Sequence, residues 1–372
     1  MDTDVNHAYI SADSHVVEPA DLWLTRMDKR FRDRAPHTVS QPEGDFFCSD
    51  GLPPAAIAGF FGAMVNDKMT GSGEVSSPLR RNAEIRPGAW DPMARLTDQD
   101  LDNVCAEVLY PGTAIFLVAL PDTEYQRECF RVYNDWISEF CRAVPQRLIG
   151  TALLPFGGPI DWTIAEAERV AKLGIHTVIV PHDIPYHDRQ YQPLWAALQD
   201  LDMLVAMHPG GTSKPPFEQF GSTPALAWVT QNKQGTMLQG LSGLLASAVP
   251  QNYPKLRFVI VEGGIGWMAA TLRFMDHWWE DNHRWLQPHL DEKPSAYFHR
   301  QFWATFEDDR AGLLTRHLLN VDHLMWGSDY PHTEGTFPRS QQQIAQDFSD
   351  LPAVEVRKIV VENAAKLYGL TV

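Results

Sequence analysis

The sequence predicts an α/β protein with a (β/α)8 TIM barrel fold, on the strength of three observations. Eight short apolar segments lie along the chain, most of them separated by helical patterns. Strands that are apolar on both faces and alternate with helices are typical of parallel sheets, and eight of them fit a closed barrel. The alternative is a doubly wound open sheet. No G-x-G-x-x-G follows the first strand, so that alternative lacks the dinucleotide-binding fingerprint.

The first half of the chain supplies three of the predicted strands. A strand over residues 9–15 opens the barrel, and a segment rich in Pro, Gly and Arg follows at about 25–90. We interpret this long insertion after strand 1 as a lid or a dimer arm, with an exposed insertion of no role as the alternative. The apolar runs 104–110 and 148–154 predict strands, and helices are expected at 91–102 and 123–144. In the second helix Phe130, Tyr133, Ile137 and Phe140 repeat at helical spacing.

The second half repeats the alternation five times. Strands are predicted at 175–180, 203–207, 256–261, 302–306 and 323–326, and helices at 160–173, 193–201, 224–249, 267–283 and 310–319. Gly174 is a C-cap signal for the first of these helices. Amphipathic patterns at 340–348 and 354–368 predict a C-terminal helical tail. We therefore treat residues 1–372 as a single barrel domain.

Composition narrows the classes of function. A formal net charge of −16 disfavours nucleic acid and anionic membranes as partners. The four cysteines are far apart with no C-x-x-C pair, which argues against a disulfide scaffold and a thiolate metal site. No apolar run is long enough to span a bilayer, and residues 1–7 lack the pattern of a secretory signal. These features predict a cytoplasmic protein that acts on a small molecule.

Polar residues stand at the ends of four predicted strands. Asp13 and His15 end the first strand, His208 follows the fifth, Glu262 the sixth and Asp329 the eighth. A barrel gathers the C-terminal ends of its strands around one mouth, so these residues are expected to converge. Imidazole nitrogen and carboxylate oxygen suit zinc, manganese or iron. The pattern predicts a site for one divalent metal ion.

Four motifs resemble the amidohydrolase-related family of the amidohydrolase superfamily. They are DSHVVEP at 13–19, MHPGG at 207–211, WGSDYPH at 326–332 and ENAAKLYG at 362–369. The branch with this pattern includes decarboxylases of aminocarboxymuconate semialdehyde, γ-resorcylate and 5-carboxyvanillate. The resemblance implies a metal held by His15, His208 and Asp329, with Asp13 where relatives have His or an acid. It also implies that Asp329 handles a proton and that the protein forms homodimers.

The chain departs from the wider superfamily at two positions. The fourth strand ends in Val180, Pro181 and His182, without the lysine that bridges two metals in hydrolytic members. The sixth strand ends in Glu262, where relatives usually have His. Glu262 is expected to ligate the metal, to act as general base or to bind a cationic or hydroxylic group of the substrate; capping the following Gly-Gly turn is the alternative.

Other polar residues are candidates for substrate contact. Glu18, His332 and Glu334 lie near the predicted ligands, and Arg95 is one of several arginines that could bind a carboxylate bidentately. For each, a structural role in a loop or at the surface is the alternative.

Three functions follow from this reading. The leading hypothesis is metal-dependent decarboxylation of a small aromatic or unsaturated carboxylate, with Asp329 as the proton donor. The second is hydrolysis of an amide, ester or lactone, or a hydration, by a metal-bound water with Asp329 or Glu262 as base. The third is a binding protein without catalytic activity.

Overall fold

The computed structural model describes residues 8–56, 58, 61, 80–212 and 224–371. The strands are β1 Tyr9–His15, β2 His37–Gln41, β3 Gly44–Cys48, β4 Val104–Tyr110, β5 Leu148–Gly150, β6 Ala152–Leu153, β7 Thr177–Ile179, β8 Leu204–Met207, β9 Arg257–Ile260, β10 Phe302–Phe306 and β11 Leu324–Trp326. The helices are α1 Leu22–Arg26, α2 Pro92–Leu101, α3 Thr123–Arg142, α4 Ile160–Lys172, α5 Gln192–Asp200, α6 Ala225–Thr230, α7 Thr236–Ala246, α8 Val249–Asn252, α9 Gly266–Asn282, α10 Pro294–Gln301, α11 Arg310–Thr315, α12 Ser340–Asp347, α13 Ala353–Arg357 and α14 Asn363–Tyr368. Single π-helical segments, Gln231–Gly235 and Lys358–Glu362, join α6 to α7 and α13 to α14.

The barrel is built from two runs of parallel strands. One run has the order β1-β4-β5, and the other has the order β6-β7-β8-β9-β10-β11. Only Thr151 separates β5 from β6, so these two short strands are one barrel strand interrupted at a single residue. The predicted α/β barrel is confirmed.

Backbone hydrogen bonds join the two ends of this strand order. The amide of Asp329 donates to the carbonyl of Asp13 at 2.9 Å, and the amide of His15 donates to the carbonyl of Tyr330 at 2.6 Å. Gly327 lies at this seam, and a Cβ there would stand 2.5 Å from the Cβ of Asp13. The first and last barrel strands are therefore in contact through the residues predicted to bind metal.

The helices surround the barrel as the apolar spacing predicts. In α3 the side chains of Phe130, Tyr133, Ile137 and Phe140 are buried. The long predicted helix at 224–249 corresponds to α6, the first π-helical segment, α7 and the start of α8. Helix α10, the short helix α1 and the β2–β3 hairpin were not predicted. No helix in the described parts of the chain combines the length and hydrophobicity needed to cross a bilayer.

The described part of the insertion packs on α3. The guanidinium of Arg26 donates to the carboxylate of Glu139 at 2.7 Å, and the amide of Asp28 donates to the carboxylate of Glu128 at 2.8 Å. Strands β2 and β3 form an antiparallel hairpin here. Residues 57, 59–60 and 62–79 of the predicted lid or dimer arm lie outside the described residues.

Candidate active site

Four of the predicted metal ligands meet at the C-terminal end of the barrel. The Nε2 atom of His15 lies 3.2 Å from Nε2 of His208, 3.3 Å from Oδ1 of Asp329 and 3.9 Å from Oδ1 of Asp13. All four residues are buried. Strand ends that are hundreds of residues apart in sequence thus form one compact cluster of nitrogen and oxygen atoms.

Backbone carbonyls orient the two histidines. Nδ1 of His15 lies 3.0 Å from the carbonyl oxygen of Pro111, and Nδ1 of His208 lies 2.7 Å from the carbonyl oxygen of Pro209. Since a carbonyl can only accept, each Nδ1 carries a hydrogen, and each Nε2 faces the cluster. Burial lowers the pKa of His15 to about 3. His15 is therefore neutral at neutral pH, as a metal ligand must be.

In the described part of the chain, three carboxylate oxygens of the cluster lack hydrogen-bond donors, whereas Oδ2 of Asp13 accepts from the hydroxyl of Thr305 at 3.3 Å. Among the described residues, neither oxygen of Asp329 nor Oδ1 of Asp13 has a hydrogen-bond partner, although all three atoms are buried. Burial raises the pKa of Asp13 to about 7 and that of Asp329 well above its usual range. Unpartnered buried carboxylate oxygens are costly, and a cation between them removes that cost. Asp13, His15 and His208 have ligand atoms within 4.8 Å of one another and fit one divalent metal ion, and Asp329 forms a second such group with His15 and His332.

Glu262 lies at the edge of this cluster. Its Oε2 is 2.9 Å from Nε2 of His208 and 3.8 Å from Nε2 of His15. Its other oxygen contacts the ammonium of Lys233. Burial opposes ionisation, but Lys233 and His208 outweigh it and hold the pKa of Glu262 well below its usual range. Glu262 is thus an anion next to the predicted metal ligands.

Two acidic residues of the site have left-handed backbone conformations. Glu262 has a φ of 57° and Asp329 a φ of 52°. Non-glycine residues rarely adopt this region, and such strain is concentrated at functional sites. The conformation turns the chain sharply where β9 and β11 end, and this places both side chains at the barrel mouth.

Sequence reasoning missed two charged residues of the site. Lys233 lies in the π-helical segment that joins α6 to α7, and its ammonium also pairs with Glu334 at 2.7 Å. Glu307 directly follows β10, and a carboxylate oxygen of it lies within 4.8 Å of ligand atoms of Glu262 and Asp329. The strand-end rule would have found Glu307. No periodic signal marks Lys233, which the sequence placed within a long helix.

His332 and Glu334 lie in the loop after β11. The rings of His332 and His15 are 4.3 Å apart, and Nε2 of His332 is buried without a hydrogen-bond partner among the described residues. Both residues line a cavity above the metal ligands. Their predicted role in substrate contact stays a prediction, and their position is compatible with it.

Glu18 and Arg95 lie outside that cavity lining and have their polar atoms occupied elsewhere. Glu18 accepts hydrogen bonds from the amides of Gly112, Thr113 and Ala114 at 2.8–3.2 Å, so it fixes the loop after β4. Arg95 is fully buried. It donates two hydrogen bonds to Glu107, at 2.6 and 3.0 Å, and one to the carbonyl of His15 at 2.7 Å. These contacts favour the structural alternative for both residues.

The cavity above the cluster has a volume of about 130 Å³ and a polar floor beneath apolar walls. His15, His208 and Glu262 contribute to the floor. The apolar lining residues are Phe61, Pro111, Ile115, Phe116, Pro209, Trp228 and Val229. Phe61 belongs to the insertion, and its ring is 5.1 Å from that of His332. Such a cavity suits a small, flat ligand with a polar group at one end.

Comparison with known proteins gives relatives along almost the whole chain. A gamma-resorcylate decarboxylase from Rhodococcus jostii (strain RHA1) is 27% identical over 335 residues, which cover 80% of this chain and 96% of the relative. An amidohydrolase structure from Mycobacterium avium subsp. paratuberculosis K-10 matches with a TM-score of 0.75 and 20% identity, covering 98% of this chain and all of that one.

A third similar protein is a 5-carboxyvanillate decarboxylase from Novosphingobium aromaticivorans DSM 12444, solved with manganese and 4-hydroxy-3-methoxy-5-nitrobenzoic acid. Its TM-score is 0.68 at 18% identity, over 99% of this chain and 97% of that one. The two structures establish the shared fold. The sequence model of the amidohydrolase family matches residues 64–370. The predicted resemblance is thus confirmed, and this chain belongs to the amidohydrolase family.

Proposed function

We propose that this protein is a metal-dependent decarboxylase of a small aromatic or unsaturated carboxylate. The observation that carries the proposal is the cluster of two imidazole Nε2 atoms and three unpartnered, buried carboxylate oxygens under an apolar-walled cavity. The decarboxylase activity of the relative from Rhodococcus jostii supports the same reaction class. The metal would be zinc or manganese, with iron as a third option.

The residues of the cluster have different roles in the proposed reaction. His15, His208, Asp13 and Asp329 would hold the metal, which when bound supplies a positive charge that offsets the negative charge on substrate oxygens. The apolar walls hold the substrate ring and exclude water around the scissile bond. Both carboxyl oxygens of Asp329 are buried without hydrogen-bond partners among the described residues, so this side chain is placed to carry the proton that the reaction needs.

Asp329 then acts as the acid. It donates its proton to the carbon that bears the substrate carboxylate. The bond from that carbon to the carboxylate breaks, and its electron pair remains on the ring. Carbon dioxide leaves with both carboxylate oxygens, and Asp329 is left as a carboxylate that must be protonated again before the next turnover.

Hydrolysis of an amide, ester or lactone is the second candidate. The observation in its favour is that Glu262 is held as an anion 2.9 Å from His208. An ionised carboxylate at this place can take a proton from a water molecule, whereas it repels an anionic substrate. Glu307 adds a further carboxyl group on the same side.

One experiment separates these candidates. The metal-loaded protein is incubated with hydroxylated benzoates and with a matched panel of esters, lactones and amides, and carbon dioxide and new carboxylate are measured. Carbon dioxide supports the proposal. New carboxylate instead supports hydrolysis, and binding without turnover supports a binding protein. Full activity of Asp329→Asn on the accepted substrate would overturn the decarboxylation scheme.

We propose in addition that the enzyme is a cytoplasmic homodimer. Phe274 and Trp278 of α9 and the nearby Trp285 are 50–64% exposed, which is unusual for aromatic residues of this size and supports an interface. The four free cysteines are compatible with a reducing compartment. Phe61 at the cavity supports a lid role for the insertion. Sedimentation of the wild type and of Trp278→Ser tests the dimer.

A further inference from the structure

We propose that Lys233 is the residue that binds the carboxylate of the ligand, and that Glu334 takes the place of this carboxylate while the site is empty of ligand. The inference rests on the proposed function, because it assumes a carboxylate ligand. It assigns a role to a residue that the metal cluster and the proton transfer do not use.

Lys233 is well placed for such a role. It comes from the π-helical segment Gln231–Gly235, which interrupts the helical region after β8. Single π-helical turns within helices are frequent at functional sites. The side chain of Lys233 is 25% exposed and lines the cavity beside Glu262, on the same side as His208. No arginine and no second lysine occur among the described residues that line the cavity.

The two acidic partners of Lys233 differ in how firmly they are held. Glu262 is 5% exposed in its side chain and also pairs with His208 at 2.9 Å. Glu334 lies in the loop after β11, is 39% exposed and pairs with Lys233 at 2.7 Å. Among the described residues, its other carboxylate oxygen accepts a hydrogen bond only from the hydroxyl of the neighbouring Thr333. Glu334 is therefore the partner that water can reach when its contact with Lys233 breaks, and Glu262 is enclosed.

Because of this difference, a ligand carboxylate can exchange with the Glu334 carboxylate at Lys233. An incoming carboxylate replaces Glu334 at the ammonium, and Glu334 moves into water, where its charge is well solvated. A lysine ammonium has three hydrogens, so Lys233 can keep Glu262 as a partner throughout. The exchange makes Glu334 a competitor of the ligand, which predicts opposite effects of removing the two charges.

The test compares benzoate with benzamide, which has the same ring and no charge. Binding to the metal-loaded protein is measured by calorimetry for the wild type, Lys233→Met and Glu334→Gln. Lys233→Met is expected to weaken benzoate binding about tenfold or more, and Glu334→Gln to tighten it by about threefold to tenfold. Both variants should leave benzamide binding within about twofold, since no charge is exchanged.

Two further variants serve as controls. Lys233→Arg keeps the charge and should retain the preference for benzoate over benzamide. Lys358 lies in the other π-helical segment and pairs with Asp322 at 2.5 Å on the surface, so Lys358→Gln should change neither affinity. Thermal unfolding of each variant checks that the fold is intact.

Equal changes for benzoate and benzamide would overturn the inference, because the charge of Lys233 would then not act on the ligand. Benzoate binding that is unchanged or weakened in Glu334→Gln would overturn it as well. Benzoate lacks the hydroxyl groups that activate a ring for decarboxylation, so this readout does not depend on turnover. Absence of carbon dioxide release with the predicted binding pattern refutes only the proposed reaction.

Discussion

Replacing Arg95 by Met tests the polar network beneath the metal cluster. The guanidinium of Arg95 is fully buried between α2 and the barrel. It donates to both carboxylate oxygens of Glu107 and to the carbonyl of His15, and it lies 4.3 Å from the ring centroid of Tyr330. Arg95 therefore contacts the backbone of one predicted ligand and the residue that follows another.

The expected loss in the free energy of unfolding depends on which buried charged group the substitution leaves without its partner. Arg95→Met leaves the Glu107 carboxylate buried with only Ser14 and Gln99 as donors. Removing one partner of a buried ion pair costs about 3–5 kcal/mol. Glu107→Gln should cost a similar amount, because it leaves the guanidinium buried without its counterion. The double variant removes both charges, so its loss should be about 3 kcal/mol smaller than the sum of the two single losses.

Urea denaturation of the four proteins gives these free energies. Arg310→Met is the matched control, because Arg310 forms a bidentate pair with Asp350 in which both side chains are about half exposed. Arg310→Met should lower the free energy of unfolding by less than about 1 kcal/mol. The metal affinity of Arg95→Met should fall about tenfold or more, since His15 loses its backbone support. Additive losses in the double variant, or an unchanged metal affinity, would refute the reasoning.

Four other outcomes are expected. Asp329→Asn should reduce turnover about 100-fold or more while the fold is kept, because the acid is lost, as a discontinuous assay of product would show. Gly327→Ala should lower the thermal midpoint and the metal affinity together, since its Cβ would stand 2.5 Å from the Cβ of Asp13. Removal of the metal by a chelator should lower the free energy of unfolding by about 2.7 kcal/mol relative to protein with metal at 100 times its Kd. Burial raises the pKa of Asp102 from 3.8 to about 7, so the folded protein binds this proton more tightly and stability falls as the pH rises from 4 to 7. In urea titrations, the free energy of unfolding of the wild type should fall by about 2–3 kcal/mol relative to that of Asp102→Asn between pH 5 and pH 7.5. A difference between the two proteins that does not change with pH would contradict the raised pKa of Asp102.

The barrel and its metal cluster could be predicted because both depend on strand ends. Apolar strands that alternate with helices fix the topology, and the topology alone brings Asp13, His208 and Asp329 to one mouth. The short elements could not be predicted in this way. Helix α10 has eight residues, and the strands of the β2–β3 hairpin have five each. Strand β2 reads HTVSQ and has no buried residue, so it lacks the apolar run that marks the barrel strands.

The roles of long polar side chains could not be read from the sequence. Arg95 and Glu18 were natural candidates for substrate contact, but their partners come from segments 12 to 96 residues away. Lys233 was missed for the converse reason, since its helical context suggests a solvated surface residue. Which charge such a side chain meets depends on the tertiary packing, and no local pattern records it.

The hydrogen bonds between Asp13 and Asp329 and between His15 and Tyr330 can form only late in the synthesis of the chain. A ribosome makes the N-terminal strand first, and some 300 residues later it makes the strand that lies beside it. Until then the N-terminal strand has one free edge, and Asp13 and His15 lack their neighbour Asp329. A nascent polypeptide that stalls before Asp329 therefore has both an open sheet and an incomplete predicted metal site, so chaperones and proteases would meet these two defects together.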